Sequence, residues 1–350
     1  PWRGEGKAVV NRFRTLLRRS DRPVLVAHRG DSAHAPENTL AAAQRAWDEG
    51  ADAWELDVQL SRDGVPVVLH DESLVRTTDV RTRFAGDPRG ASGFLVADFD
   101  FDEIRKLDAG SGSSSPRAAT GPPRPSGRGA PRPRRACPIR LGSRPGAFPG
   151  RRPRADRPAR LVGQRRVEVV PGHRPSALRG RVRVIRRTRT ASRVLISSFD
   201  HADVARATRH APEIATGVLA ATPVYRPSEY VREHVRADTY HPSAEVLGVR
   251  SNAYRRRPCA ASLRLGDLEA LRRDDVPVLV YTVNDSAPGG RLSPGRGRGL
   301  RLFTDDPRGL PPSCTRRGGV GSFALRPHPR GAAVSSALPD RRNPIRSNAG

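Results

Sequence analysis

A 78-residue stretch, Ser113 to Thr190, sets the first limit on this 350-residue chain: it holds 22 Arg, 13 Pro and 9 Gly against two acidic residues, Asp156 and Glu168. Proline at that density interrupts regular helix, and a net charge of +20 opposes collapse. Only the apolar patch Val167–Val170 stands out in it. A folded core is therefore expected from the sequence on either side. The formal net charge of +27 divides the same way, because this stretch carries +20 and residues 311–350 a further +6. The remainder is nearly neutral.

Two readings of the stretch differ in kind. One is a disordered basic arm for RNA or an acidic partner. It has no Lys and a single aromatic residue, Phe148, whereas single-strand binders interleave stacking side chains. The other is a GC-rich gene read in a wrong frame, which yields Arg, Pro, Gly and Ala and would leave an inactive product. The abrupt return of order beyond it favours the second reading, and nucleic acid is not expected as a partner.

Other bulk features exclude whole classes. No run of 18 apolar residues exists and the first 25 residues have no continuous apolar core, so neither a membrane span nor a signal peptide is read. A cytoplasmic protein is expected. The chain begins at Pro1 and contains no Met, so its natural start is read as missing and secretion through a removed segment stays compatible. Cys137, Cys259 and Cys314 are odd in number, far apart and in no CxxC spacing, which argues against a disulfide framework and against a zinc site.

Outside the Arg-rich stretch the chain has regular order. Residues 5–19 space Val9, Val10, Phe13, Leu16 and Leu17 as one face of an amphipathic helix, read as a packing helix. Val24–Ala27 is an apolar run ending in His28-Arg29-Gly30, and Pro36-Glu37-Asn38-Thr39 opens a helical stretch stopped by Gly50. Trp54–Leu60 alternates apolar and polar residues as a strand, and Val65–Leu69 is an apolar run ending in His70-Asp71. Beyond residue 190 come strands at Val194–Phe199, Gly217–Ala220 and Val276–Val283, and a strand end at Leu302–Pro307. Helices are expected near His201–His210, Pro227–Arg236 and Leu265–Arg273. Alternating strands and helices predict an α/β fold, either a barrel or a doubly wound sheet.

Chemistry concentrates at the strand ends. Glu55 and Asp57 lie two apart on a strand, so period-2 geometry puts both carboxylates on one face, where they can share a hard cation such as Mg²⁺ or Ca²⁺. Arg62-Asp63-Gly64 reads as a tight turn. A hairpin there would set Asp57 opposite His70; parallel strands would set His28 and His70 on one rim. Two histidines can divide general acid and general base work at neutral pH. Arg29 offers a fork suited to phosphate oxygens.

The joint order of His28-Arg29-Gly30, Pro36-Glu37-Asn38-Thr39, Glu55-Leu56-Asp57-Val58, Asp63-Gly64, His70-Asp71 and Leu74-x-Arg76-Thr77-Thr78 closely resembles the glycerophosphodiester phosphodiesterase family. The likeness continues at Leu107-Asp108-Ala109-Gly110, Ser197-Ser198-Phe199, Tyr281-Thr282-Val283-Asn284-Asp285 and Phe303-Thr304-Asp305-Asp306-Pro307. The resemblance implies a TIM-type (β/α)8 barrel of the phospholipase-C-like kind, incomplete where 113–190 lacks barrel pattern. It further implies divalent-metal-dependent hydrolysis of glycerophosphodiesters, small molecules of glycerophospholipid metabolism, to an alcohol and glycerol 3-phosphate. By position, His28 and His70 would be the acid/base pair, Arg29 a phosphate contact, Glu55 and Asp57 metal ligands, and Glu37 and Asn38 supports of the barrel mouth.

Several positions depart from the family pattern. The family carries a third metal carboxylate in a Glu-x-Lys setting on a middle strand, and here the only lysines are Lys7 and Lys106. Glu168 has neighbours that do not fit and is left unassigned. Tyr281 stands where the family more often has Trp. The resulting division is an N-terminal helix over 1–22, a barrel domain over 23–310 interrupted at 113–190 and 286–301, and a disordered tail over 311–350. The rival within the superfamily is a phospholipase-type phosphodiesterase acting on a lipid, which calls for an apolar rim at the mouth; no exposed apolar loop is evident there in the sequence.

Overall fold

The computed structural model describes residues 11–19, 24–110, 168–172, 175–247, 265–284, 292–294, 301–309 and 323–325. The N-terminal part runs α1 (Arg12–Arg19), β1 (Val24–Ala27), α2 (Leu40–Asp48), β2 (Ala53–Glu55), β3 (Val58–Leu60), β4 (Pro66–Val68), α3 (Val80–Arg83) and α4 (Phe101–Ile104). There follow β5 (Glu168–Gly172), α5 (Pro175–Arg187), β6 (Val194–Ser198), α6 (His201–His210), β7 (Ala215–Ala220), α7 (Pro227–Glu229) and β8 (Thr239–Pro242). The last elements are α8 (Leu265–Arg273), β9 (Leu279–Val280), β10 (Leu292–Pro294), β11 (Arg301–Thr304) and β12 (Phe323–Leu325).

Eight strands form one parallel path in the order β8-β7-β6-β5-β2-β1-β11-β9. Its two ends meet through isolated parallel bridges, Tyr240 to Val278 and Ser243 to Tyr281. Across that seam the Tyr240 amide donates to the Pro277 carbonyl at 3.0 Å and the Tyr281 amide to the Pro242 carbonyl at 3.2 Å. The architecture is that of a TIM-type α/β barrel whose last seam rests on bridges rather than a full ladder. No helix among the described residues is long and apolar enough to cross a membrane.

Strand alternation sorts the apolar side chains into layers. Val24, Val26, Ala53, Leu195, Ala215, Leu279 and Phe303 cluster with Phe13 and Leu17 of α1. The residues between them, Ala27, Trp54 and Ile196, pack instead with Ala43 and Ala46 of α2, Leu178 and Ile185 of α5 and Ala207 of α6. The α1 helix therefore fills the barrel interior, as its apolar face predicts. Asn11 starts it by accepting from the amides of Phe13 and Arg14, and its side-chain amide donates to the carbonyls of Ala191 and Glu213. Arg14 forks onto Asp238. Ala191, Glu213 and Asp238 precede β6, β7 and β8, so α1 plugs the N-terminal end of the barrel.

The structure corrects the sequence reading in several places. Both β5 and α5 lie inside 113–190, which the composition left without barrel pattern. The apolar patch noted at Val167–Val170 overlaps the strand, and α5 buries Leu178, Arg181 and Ile185 at helical spacing. Because Arg181 takes one of these positions, with its Nη2 3.7 Å from Asp203 Oδ2 of α6, the hydrophobic period is broken in the sequence. The rest of that stretch, residues 113–167 and 173–174, lies outside the described residues, as do all three cysteines. A short antiparallel pair, β10 with β12, falls in the regions read as 286–301 and 311–350. The expected strand Val276–Val283 is regular only at β9, the helix near Pro227–Arg236 is one α turn continuing into a π-helix over Tyr230–Val235, and β8 was not foreseen.

Candidate active site

The hairpin settles the first open geometry. β3 and β4 are antiparallel with Val58 opposite Val68, and the Leu69 amide donates to the Asp57 carbonyl at 3.1 Å. Asp57 thus faces Leu69, one residue short of the His70 that a hairpin was expected to set opposite it. The excursion leaves the barrel at β3, turns, and brings His70 back to the level of the two carboxylates.

His28 follows β1 and is held from the last barrel strand. Its Nδ1 lies 2.6 Å from Asp305 Oδ1, and Asp305 Oδ2 accepts from the Asn284 side-chain amide at 2.5 Å. Asn284 in turn accepts the Asp305 amide at 2.8 Å. Burial opposes ionisation of Asp305, yet the hydrogen bonds from His28 and Asn284 bring its pKa down to about 2. An ionised carboxylate only accepts, so His28 donates from Nδ1 and its Nε2 is the ring nitrogen left for proton transfer. Burial also works against a charge on His28, but the Asp305 hydrogen bond and the negative field of Glu55 outweigh it and raise the His28 pKa.

His70 is arranged on the same plan. Its Nδ1 lies 2.6 Å from Asp71 Oδ1. Arg76 grips Asp71 with Nε to Oδ2 at 2.6 Å and Nη2 to Oδ1 at 2.9 Å, which, with the His70 contact, holds the Asp71 pKa near 2. The same guanidinium reaches Glu37, with Nη1 to Oε2 at 2.7 Å and Nη2 to Oε1 at 2.8 Å. Glu37 Oε1 also accepts from Arg29 Nη1 at 3.0 Å. Glu37 thus bridges two arginines, Arg29 and Arg76.

Glu55 and Asp57 are both buried. Glu55 Oε2 accepts the Arg29 amide at 3.0 Å; Asp57 Oδ2 accepts the Asn38 side-chain amide at 3.0 Å and lies 3.2 Å from Arg29 Nε. Asn38 closes a two-way contact by accepting the Asp57 amide at 3.2 Å. Arg29 and Asn38 both adopt the left-handed conformation, φ 57°, which turns the loop after β1 back over these carboxylates. Burial, with the charge of Asp57 next, lifts the Glu55 pKa well above the ordinary carboxylate range. Two buried carboxylates sharing one space are the donor chemistry a hard divalent cation satisfies.

Gly30 makes this turn possible. It has φ +88°, and a Cβ there would stand 2.6 Å from the Ala42 carbonyl carbon. Gly30→Ala is therefore expected to destabilise the fold by ~1–3 kcal/mol through overpacking against backbone that cannot yield. Urea titration measures it; an unchanged midpoint contradicts the close approach.

Among the described residues, the group of three whose ligand atoms lie within 4.8 Å of one another is Asp31, His34 and Asp306, not one built on Glu55 and Asp57. Asp31 already holds His34 Nδ1 at 2.8 Å and Arg45 Nε at 3.0 Å. Glu168 pairs in register with Trp54, whereas Val169 is the residue beside Glu55, so the backbone gives no ground for assigning Glu168 as a third ligand. Asp305, Asn284, Asp71 and Arg76 received no role from the sequence. Each lies in a motif noted there, but their pairing appears only in three dimensions.

The model of the glycerophosphoryl diester phosphodiesterase family matches residues 28–123, the span that carries His28, Arg29, Glu55, Asp57 and His70. Over that span the chain is similar to the family. A glycerophosphodiester phosphodiesterase of Caldanaerobacter subterraneus is 29% identical over 303 residues, 85% of this chain and 99% of its own length. Rat glycerophosphodiester phosphodiesterase 1 is 44% identical, but over 93 residues that make up 27% of this chain and 24% of the rat protein. Among solved structures, the Oleispira antarctica phosphodiesterase in complex with its product sn-glycerol-3-phosphate superposes with a TM-score of 0.56 at 23% identity, covering 82% of this chain and 94% of that one. A glycerophosphodiester phosphodiesterase from Agrobacterium tumefaciens covers 82% and 98% with a TM-score of 0.50 at 22% identity. These likenesses support the barrel fold of the glycerophosphoryl diester phosphodiesterase family.

Proposed function

We propose that this chain hydrolyses glycerophosphodiesters to an alcohol and glycerol 3-phosphate, as a step in glycerophospholipid breakdown. The observation that carries the reading is the pairing of two histidines, each held on its own carboxylate, around the buried Glu55 and Asp57. One histidine removes the proton of the nucleophile and the other protonates the leaving alkoxide, each through the ring nitrogen opposite its carboxylate. Arg29 places positive charge beside the carboxylates and contacts the phosphate. Glu55 and Asp57 would hold a divalent cation, Mg²⁺ or Ca²⁺, which when bound supplies positive charge to the phosphate oxygens. Asn38 orients Asp57, and Glu37 orients Arg29.

The test is release of glycerol 3-phosphate from a soluble glycerophosphodiester. Turnover is expected, with loss on EDTA and recovery on adding Mg²⁺ or Ca²⁺. Turnover undiminished by EDTA overturns the metal assignment, and no release from any glycerophosphodiester overturns the reading itself.

A phospholipase-type reaction is favoured by one observation. Phe199, which follows β6, and Tyr225, in the loop after β7, are exposed aromatics beyond the C-terminal ends of their strands, where the sequence showed no apolar loop. Hydrolysis of a phosphatidyl lipid in vesicles in preference to the soluble diester would establish that reading instead.

A further inference from the structure

Arg76 makes four hydrogen bonds to two carboxylates, with a fork on Asp71 and a fork on Glu37. Those carboxylates belong to different loops, one after β1 and one after β4, and each holds a residue of the site. Asp71 binds His70 Nδ1 and Glu37 binds Arg29 Nη1. A continuous chain of charged contacts thus runs His70, Asp71, Arg76, Glu37, Arg29. The Arg76 side chain is 47% exposed, and ion pairs in such a position contribute little to stability. Planarity is what the arrangement uses: a guanidinium fixes both carboxylates in one plane, which an ammonium would not.

We infer that Arg76 is a positioning residue that sets the ring of His70 and the guanidinium of Arg29 relative to each other, so that proton transfer and phosphate contact are assembled as one unit. The inference rests on the proposed phosphodiesterase reading. Without Arg76, Asp71 and Glu37 lose their common anchor, His70 loses a fixed Nδ1 acceptor, and Arg29 keeps a Glu37 partner that is no longer held in place. Turnover and substrate affinity should then fall together.

The experiment compares the full-length chain with Arg76→Ala and Arg76→Lys by steady-state kinetics on a soluble glycerophosphodiester and by ring ¹⁵N spectra of the histidines, His70 being assigned from His70→Ala. In the unaltered chain His70 is expected to carry its proton on Nδ1. In Arg76→Ala that tautomer is lost, kcat falls about 10- to 100-fold and KM rises, in the range found for the outer partners of ligating histidines. Arg76→Lys keeps the charge without the double fork and should recover only part of the loss. Guanidinium added at non-denaturing concentration should restore turnover in Arg76→Ala but not in His70→Ala.

A His70 tautomer unchanged in Arg76→Ala, or an unchanged kcat per folded molecule, overturns the inference. If Arg76→Ala does not fold, Arg76→Lys carries the same two measurements. If the unaltered chain turns over no glycerophosphodiester, the functional reading fails, and the ring spectra still decide what Arg76 does.

Discussion

His28→Ala should lower kcat for glycerophosphodiester hydrolysis by ~10²–10⁴-fold, the range that a positioned general acid or base supplies. His70→Ala should do the same. On the proposed reading each histidine is one half of an acid/base pair whose other half cannot substitute for it, because each is held on a separate carboxylate, Asp305 or Asp71. The His28 side chain contributes no packing to the apolar clusters, and its backbone amide still donates to the Thr304 carbonyl at 2.8 Å. Circular dichroism and the melting temperature should therefore stay close to those of the unaltered chain. The double variant should lose little more than either single one, since residues acting as a unit are not additive. A single variant that keeps more than about a tenth of the activity removes that histidine from the acid/base pair.

Phe13→Ala should cost ~3–5 kcal/mol, the usual range for truncating a fully buried aromatic side chain. Phe13 is 0% exposed and packs with Leu17 against Val24, Leu195, Ala215, Leu279 and Phe303, residues of five different barrel strands. The cavity would open where those strands converge, and none of them can move inward without breaking a parallel ladder. Chemical denaturation reads the loss. A change under ~1 kcal/mol, the scale of an ordinary surface substitution, would mean that α1 does not plug the barrel. Activity per folded molecule should be nearly unchanged, because α1 sits at the end opposite the histidines.

Much of the site was legible because its chemistry follows strand ends. His28, Glu55, Asp57 and His70 each close or interrupt an apolar run, but the single strand read over Trp54–Leu60 is two, β2 ending at Glu55 and β3 beginning at Val58, so Asp57 lies in the break and not on a continuous alternation. What was not legible depends on distance along the chain. The partner of His28 is 277 residues away, and no local period encodes such a pairing. The Asp57 register differed by one residue because the geometry of the hairpin turn, not the composition of the strands, sets it. In the fold, β8 escaped notice because its Thr, His and Pro do not form an apolar run, although all four of its residues are buried. The α5 helix escaped notice because arginines occupy most of its surface and one, Arg181, takes a core position.

The pairing of β1 with β11 has a further consequence during synthesis. Val24–Ala27 leaves the ribosome well before the Arg301–Thr304 strand that flanks it and the Asp305, 277 residues beyond His28, that seats it. Nascent chains and fragments ending before β11 contain His28, Arg29, Glu55, Asp57 and His70 but leave His28 unseated. On the proposed reading, hydrolytic competence thus waits for β11 to pair with β1.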